Sequence, residues 1–249
     1  MKKNSSKLYI KRIVVLALFC AMAYVTCFFL RISGIGGFLS FEIKDTVITL
    51  AAMLFGPWAG VAISFVVALM EMLSFSGTGP IGALMNFVSS AVFSACASTV
   101  YIYFPVIKKK ISGAVVGLIT AVIAVTVVMI PMNLIFTPLY QNVPVEVVKS
   151  MILPLLMPFN AIKATLNASL VMMLYKTVSV LLKRARVLDV VAAHAPVATN
   201  NATANNNGYS LGKKSILIVS AAIAVGVVCV VLFLTVFGGE ISWIRNFNK

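Results

Sequence analysis

Long apolar runs separated by short polar breaks organise this chain. The runs cover 10–30, 45–75, 81–105, 112–140, 153–182 and 215–237. A membrane-crossing helix needs about 20 apolar residues, so most of these runs predict one helix each. The 45–75 run is too long for one helix and short for two, and Gly56-Pro57 interrupts it. Proline is tolerated at a helix start and glycine just past a helix end. Two shortened helices, 45–55 and 58–75, joined by a tight turn, are therefore predicted. Such a Gly/Pro-interrupted pair of short apolar segments points toward a transporter-type fold. The 153–182 run carries Pro154 and Pro158 near its start. Between 38 and 45 the sequence FLSFEIKD alternates apolar and polar positions, which predicts a short extended segment able to cap a pocket.

A different texture follows the sixth helix. Residues 195–210, APVATNNATANNNGYS, lack apolar periodicity and read as a flexible linker. The predicted fold class is an all-α integral membrane protein. Residues 1–189 form a six-helix core, 190–212 a linker, and 213–249 an additional C-terminal transmembrane helix with a short external tail. The first run follows a positive stretch as in a signal peptide. No small-residue cleavage site follows it, so it is read as a retained helix.

Composition supports a bilayer as solvent. Hydrophobic residues make up 61% of the chain and charged residues 10%, with mean hydropathy +1.06. A soluble domain runs at roughly 45–50% apolar and about 25% charged. The net charge of +14 would suggest nucleic acid in a soluble protein. Here the cations cluster between apolar runs: in the first twelve residues, at Lys108–Lys110, at Lys176 to Arg186, and at Lys213-Lys214. That pattern marks cytoplasmic loops. It predicts a multi-pass membrane protein with a cytoplasmic N-terminus, an external C-terminus if the seventh run spans, and no nucleic-acid partner. The count of sides closes only if the Gly56-Pro57 turn is cytoplasmic.

Catalytic signatures are missing. The sequence has no GxxxxGK[ST], no HExxH and no Cys/His cluster. The single histidine, His194, lies beside the linker, which removes a Ser-His-Asp set. The four cysteines sit inside apolar runs without a CxxC and read as small buried hydrophobes. No enzyme, no metal and no cofactor are expected, and binding or transport is the default.

Polar residues within apolar runs are the candidate chemistry. Lys163 in the sixth helix costs about 2.5–3.5 kcal/mol on insertion scales unless it faces a cavity or snorkels to the interface. Asn160 and Asn167 share its helix face. Asn133 follows Pro131 on the fifth helix. The fourth opens with Gly77-Thr78-Gly79-Pro80-Ile81-Gly82 and carries Asn86. Two readings stay open: interhelical hydrogen bonding, or one polar pocket for an uncharged heterocycle with carbonyls and ring nitrogens. Asp45 is placed to cap the second helix. Glu71 either lines the pocket or sits at the external interface. Ala17 and Ala21 form a small-xxx-small face on the first helix, for packing within the chain or on a partner.

At these residues the chain resembles the substrate-binding S-components of energy-coupling factor (ECF) transporters, and among them those specific for riboflavin. The resemblance covers about 10–185. It rests on the Leu16–Ala21 stretch, on Leu39-Ser40-Phe41-Glu42-Ile43-Lys44-Asp45 followed by Phe55-Gly56-Pro57-Trp58-Ala59-Gly60, on Gly77–Gly82 with Asn86-Phe87, and on Asn133 with Asn160 and Lys163. Glu71-Met72, where a Lys-Asn pair is frequent, and Glu42, where Asp is usual, depart from the family pattern. The resemblance implies a vitamin-binding subunit that takes up riboflavin at the external face. Leu39, Phe41, Asp45, Gly79, Gly82, Asn86, Asn133, Asn160 and Lys163 would form the binding site. Ala17 and Ala21 would dock on a transmembrane coupling subunit, and two ATPase subunits would use the ATP. An S-component for another vitamin or small heterocycle, or a membrane scaffold, are the alternatives.

Overall fold

A computed structural model describes residues 2–33, 39–74, 79–104, 111–184 and 240–241. The linker 195–210, the seventh apolar run, His194 and Cys229 lie outside the described residues. Helices dominate: α1 (Lys2–Phe29), α2 (Lys44–Phe55), α3 (Pro57–Ser74), α4 (Gly79–Tyr103), α5 (Ile111–Gln141), α6 (Val145–Met151) and α7 (Met157–Arg184). Three two-residue strands accompany them: β1 (Ile32–Ser33), β2 (Ser40–Phe41) and β3 (Glu240–Ile241).

Five helical stretches among the described residues are long and apolar enough to cross a membrane, namely Ile10–Phe29, Pro57–Ser74, Gly79–Tyr103, Ile111–Gln141 and Val145–Tyr175. Their outer faces expose Leu18, Phe65, Ile119, Ile123 and Ile135, as expected where lipid is the solvent. The chain is an all-α multi-pass membrane protein.

The 45–75 run divides at the expected place, but its halves differ. α2 has 12 residues, about 18 Å at 1.5 Å per residue against a hydrocarbon core of roughly 30 Å. It does not span. Its flanks are α1, α3, α4 and α7, and it is buried almost throughout. A helix apolar on all sides is one enclosed on all sides, and here protein supplies the enclosure. Gly56 ends it at φ 103° and ψ 163°, a backbone region open to glycine. Its N–H bonds to Ala52 O at 2.8 Å. Pro57 then opens α3, where a missing N–H is harmless. Arg12 donates from Nη2 to Phe55 O at 3.1 Å, placing a cation on the negative end of α2. The turn thus lies at the same end of the bundle as the basic N-terminal segment.

Small residues set the helix spacing. A Cβ on Gly60 would stand 2.7 Å from Ala52 Cβ and 2.8 Å from Ser94 Oγ. On Gly117 it would stand 2.6 Å from the backbone oxygen of Ala97. Backbone cannot swing aside as a side-chain tip can. Gly117→Ala is expected to push α5 off α4 and to lower stability by about 1–3 kcal/mol. Thermal unfolding in detergent measures this, and an unchanged midpoint would mean the α4–α5 contact has slack.

The sixth apolar run begins earlier than expected. α6, a π-helical turn at Ile152–Leu156 and α7 form one continuous rod. Met157 N–H bonds back to Ile152 O, five residues earlier. Pro154 and Pro158 each withhold an N–H from the helix ladder, and the wider turn absorbs the mismatch.

Candidate functional site

The alternating segment before α2 forms the expected short strand. β2 pairs antiparallel with β1, Ile32 opposite Phe41, and β1 pairs on its other edge with β3, Ile32 opposite Ile241. The residues after β2 are deeply buried. Asn167, fully buried on α7, fastens this segment and α2 together. Its Nδ2 donates to Glu42 O at 3.0 Å, while its Oδ1 accepts from Thr46 N at 3.0 Å and Thr46 Oγ1 at 2.8 Å. A buried donor of the first turn of α2, which also bonds to Ile43 O at 3.1 Å, thereby gains a partner from another helix. The capping expected of Asp45 does not occur: Ile43 is the N-cap and makes no side-chain cap bond. Asp45 lies one residue inside α2 and accepts instead from Ser90 Oγ on α4. Its side chain starts from helical backbone, so it reaches a neighbouring helix more readily than its own free N–H groups.

Beside this junction, at the end of the bundle opposite Arg12, lies a cavity of about 60 Å³. The sequence-predicted residues Leu39, Gly82, Asn86, Asn133, Asn160 and Lys163 line it. Asp45 lines a smaller adjoining cavity with Asn160 and Lys163. Two predicted residues stand elsewhere. Phe41 is 1% exposed and packs in a cluster with Leu39, Val148, Leu156, Phe159 and Leu166; Leu39 and Phe159 of that cluster border the cavity and Phe41 does not. Gly79, at φ 60°, starts α4 a full turn before Gly82 and does not border the cavity.

Other wall residues were not singled out from the sequence. Met85 and Ser89 lie three residues after Gly82 and Asn86, and Met129 lies four before Asn133. Helical spacing from the amides would have found them. Arg31, Tyr140 and Phe159, which no local pattern marks, complete the wall with Ser40 of the alternating segment.

A buried charge network underlies one side of the cavity. Lys44 Nζ lies 2.8 Å from Glu42 Oε2, and 2.5 and 2.6 Å from the two carboxylate oxygens of Glu71. Lys163 Nζ lies 3.5 Å from Glu42 Oε2, and Arg31 Nε 3.6 Å from Glu42 Oε1. Ser40 Oγ donates to Glu42 Oε1 at 2.8 Å. Asn86 Nδ2 donates to Glu71 Oε2 at 3.1 Å. Burial by itself would push the Glu42 carboxyl up; Lys44, Lys163 and Arg31 outweigh it and hold the group well below the usual carboxylate range. Glu71 is thus neither an interfacial residue nor a wall of the cavity. It is 1% exposed, beneath the wall, paired with Lys44.

The remaining amides are tied within their own helices. Asn133 Nδ2 donates to Met129 O at 2.6 Å, and Asn133 Oδ1 accepts from Thr137 Oγ1 at 3.0 Å. Asn160 Nδ2 donates to Leu156 O at 2.7 Å. Apolar walls from Leu39, Met85, Met129 and Phe159 with amides and cations at their edges suit a flat heterocycle bearing polar atoms on its rim. The cavity as it stands has space for a few water molecules, so such a ring system enters only as the walls part.

On α1, Phe19, Ala23 and Cys27 face the core. Ala17 and Ala21 are exposed among the described residues. Their small-residue face is not used for packing within that part of the chain.

Comparison with known proteins agrees with the helical membrane fold. The family model described as "ECF transporter, substrate-specific component" matches residues 11–175. A riboflavin transporter, RibU, of Staphylococcus aureus (strain TCH60) is 29% identical over 186 residues, covering 70% of this chain and 93% of that protein. A solved structure of the S component of a bacterial ECF transporter superposes with a TM-score of 0.60 at 28% identity, covering 71% of this chain and 99% of that one.

Proposed function

Since this chain belongs to the family of substrate-specific components of ECF transporters, we propose that it binds riboflavin and hands it to a separate ATP-driven module. The observation that carries the reading is the cavity itself: apolar Leu39, Met85, Met129 and Phe159 beside Asn86, Asn133, Asn160 and Lys163. A flavin offers the matching surface, two broad apolar faces and a rim of carbonyls, ring nitrogens and one N–H. The likeness to the staphylococcal riboflavin transporter supports the same ligand.

In this reading the vitamin enters from outside the cell. The cavity and the basic N-terminal segment lie at opposite ends of the bundle, and basic segments stay cytoplasmic. Ring faces rest on the apolar walls while Lys163 donates to a ring carbonyl and the asparagines hold the remaining polar groups. Nothing in the wall activates a bond, so the ligand leaves unchanged, as cargo. The exposed Ala17/Ala21 face lets another helix approach closely and suits a coupling subunit, whose two ATPase subunits would supply the energy. The chain itself uses no cofactor and no metal.

Riboflavin fluorescence quenching by the purified protein tests this reading. Saturable one-to-one quenching at nanomolar to low micromolar concentration, roughly −12 to −8 kcal/mol, is expected. A folded, colourless protein that leaves riboflavin fluorescence unchanged would overturn the riboflavin assignment.

A further inference from the structure

We propose that Glu71, which does not touch the cavity, fixes the hydrogen-bonding polarity of its α4 wall by holding Asn86 with its amide oxygen toward the ligand. The inference rests on the riboflavin reading for its ligand and on the structure alone for its geometry.

An asparagine side chain carries a donor and an acceptor on opposite sides. Which one faces a site depends on what the other is bonded to. Asn86 lies between the cavity and Glu71. Both oxygens of Glu71 lie within 2.6 Å of the Lys44 ammonium, so both accept from it, as the oxygens of a carboxylate do. A carboxylate only accepts. Asn86 must therefore give Glu71 its NH₂, and Oδ1 turns the other way. That Oδ1 makes no hydrogen bond to another described residue, although Asn86 lines the cavity.

The other two amides point the same way by a weaker device. Nδ2 of Asn133 and Nδ2 of Asn160 are each committed to a backbone carbonyl of their own helix. Asn160 Oδ1 is left without a bond to another described residue, Asn133 Oδ1 keeps one lone pair beside its bond from Thr137 Oγ1, and the Lys163 ammonium and Arg31 guanidinium stand in the wall as donors. The Asn86 oxygen thus favours an N–H or O–H of the ligand at its place in the wall, and the cations favour a carbonyl at theirs. A flavin has such groups in its imide N–H and its ribityl hydroxyls. An amide whose NH₂ is held by a backbone carbonyl can turn at the cost of one neutral bond. Asn86 cannot turn without setting its oxygen against a carboxylate. Glu71 is accordingly the positioning residue for Asn86.

The test pairs a protein change with ligand changes. Riboflavin, lumiflavin (no ribityl hydroxyls) and 3-methylriboflavin (no imide N–H) are titrated into the parent protein and into Glu71→Gln and Glu71→Asp. A buried acceptor left without its donor weakens binding by about tenfold or more. The parent is expected to bind at least one analogue that much more weakly than riboflavin. In Glu71→Gln the glutamine can donate to Asn86 and let its amide turn, so the ratio should shrink several-fold. Glu71→Asp, still an acceptor only, should restore it. Ratios within twofold of the parent's for both analogues in a folded Glu71→Gln protein would overturn the proposal. Should Glu71→Gln fold poorly, Lys44→Met/Glu71→Gln removes the charge pair together and takes the same test.

A second readout needs no ligand. The Asn86 side-chain NH₂ resonances, assigned by their loss in Asn86→Asp, should shift and exchange faster when Glu71 becomes Gln. A parent that ignores riboflavin but shows this change would sink the riboflavin reading and keep Glu71's role. Unmoved resonances would sink the role whatever the ligand.

Discussion

Replacing Lys44 with methionine is expected to cost about 3–5 kcal/mol of stability, the effect of leaving a buried ion without its partner. Glu42 would retain Lys163 and Arg31 at 3.5 and 3.6 Å. Glu71, at 1% exposure, would lose the ammonium that contacts both its oxygens and keep the neutral amide of Asn86 on α4. The penalty therefore falls on Glu71. The double change Lys44→Met/Glu71→Gln should recover most of it, because a neutral pair of similar volume is often tolerated where half a pair is not. Thermal unfolding of the purified protein in detergent separates the cases. A single variant as stable as the parent, or a double no better than the single, would mean that the pair does not hold the start of α2 to α3.

Lys163→Ala is expected to weaken riboflavin binding by about 10–100-fold, the usual range for a hydrogen bond from a charged group. Stability should change far less. The ammonium stands 3.5 Å from Glu42, and that carboxylate also has Lys44 at 2.8 Å, so no buried charge is stranded. Asn160→Ala should weaken binding by about 3–10-fold, since a neutral amide contributes less. A quenching titration beside an unfolding curve for each variant distinguishes a contact from a fold defect. Unchanged affinity in both variants would remove α7 from the proposed site. Affinity that falls only together with stability would recast Lys163 as structural.

Much of the fold was legible because lipid imposes a simple rule. Each backbone polar group must be satisfied internally, so long apolar runs become helices, and five of them appear as spans. The Gly56-Pro57 break was equally legible, since few residues can occupy φ 103° or begin a helix without an N–H. What the run lengths do not encode is which solvent surrounds a run. Residues 45–55 and 58–75 look alike in sequence, yet α2 is enclosed by four helices while α3 exposes Phe65, Leu69 and Leu73. Hydropathy treats lipid and protein interior as one medium. Likewise, the alternation around β2 was visible, but not which of its residues border the cavity: Leu39 and Ser40 do, and Phe41 does not.

The amino-acid sequence alone determined that this is a helical membrane protein, and it marked Asn86, Asn133, Asn160 and Lys163 as polar groups that a bilayer would not accept without a reason. Their cost in hydrocarbon is a property of the residue type, readable wherever it occurs. Only the tertiary structure decided what each pairs with. Asn167, not Asp45, caps α2 from 121 positions away, and Glu71 meets Lys44 across 27. Burial demands that polar groups be satisfied, but packing supplies the partner. That choice is made in space, by elements whose separation along the chain says nothing of their distance in the fold.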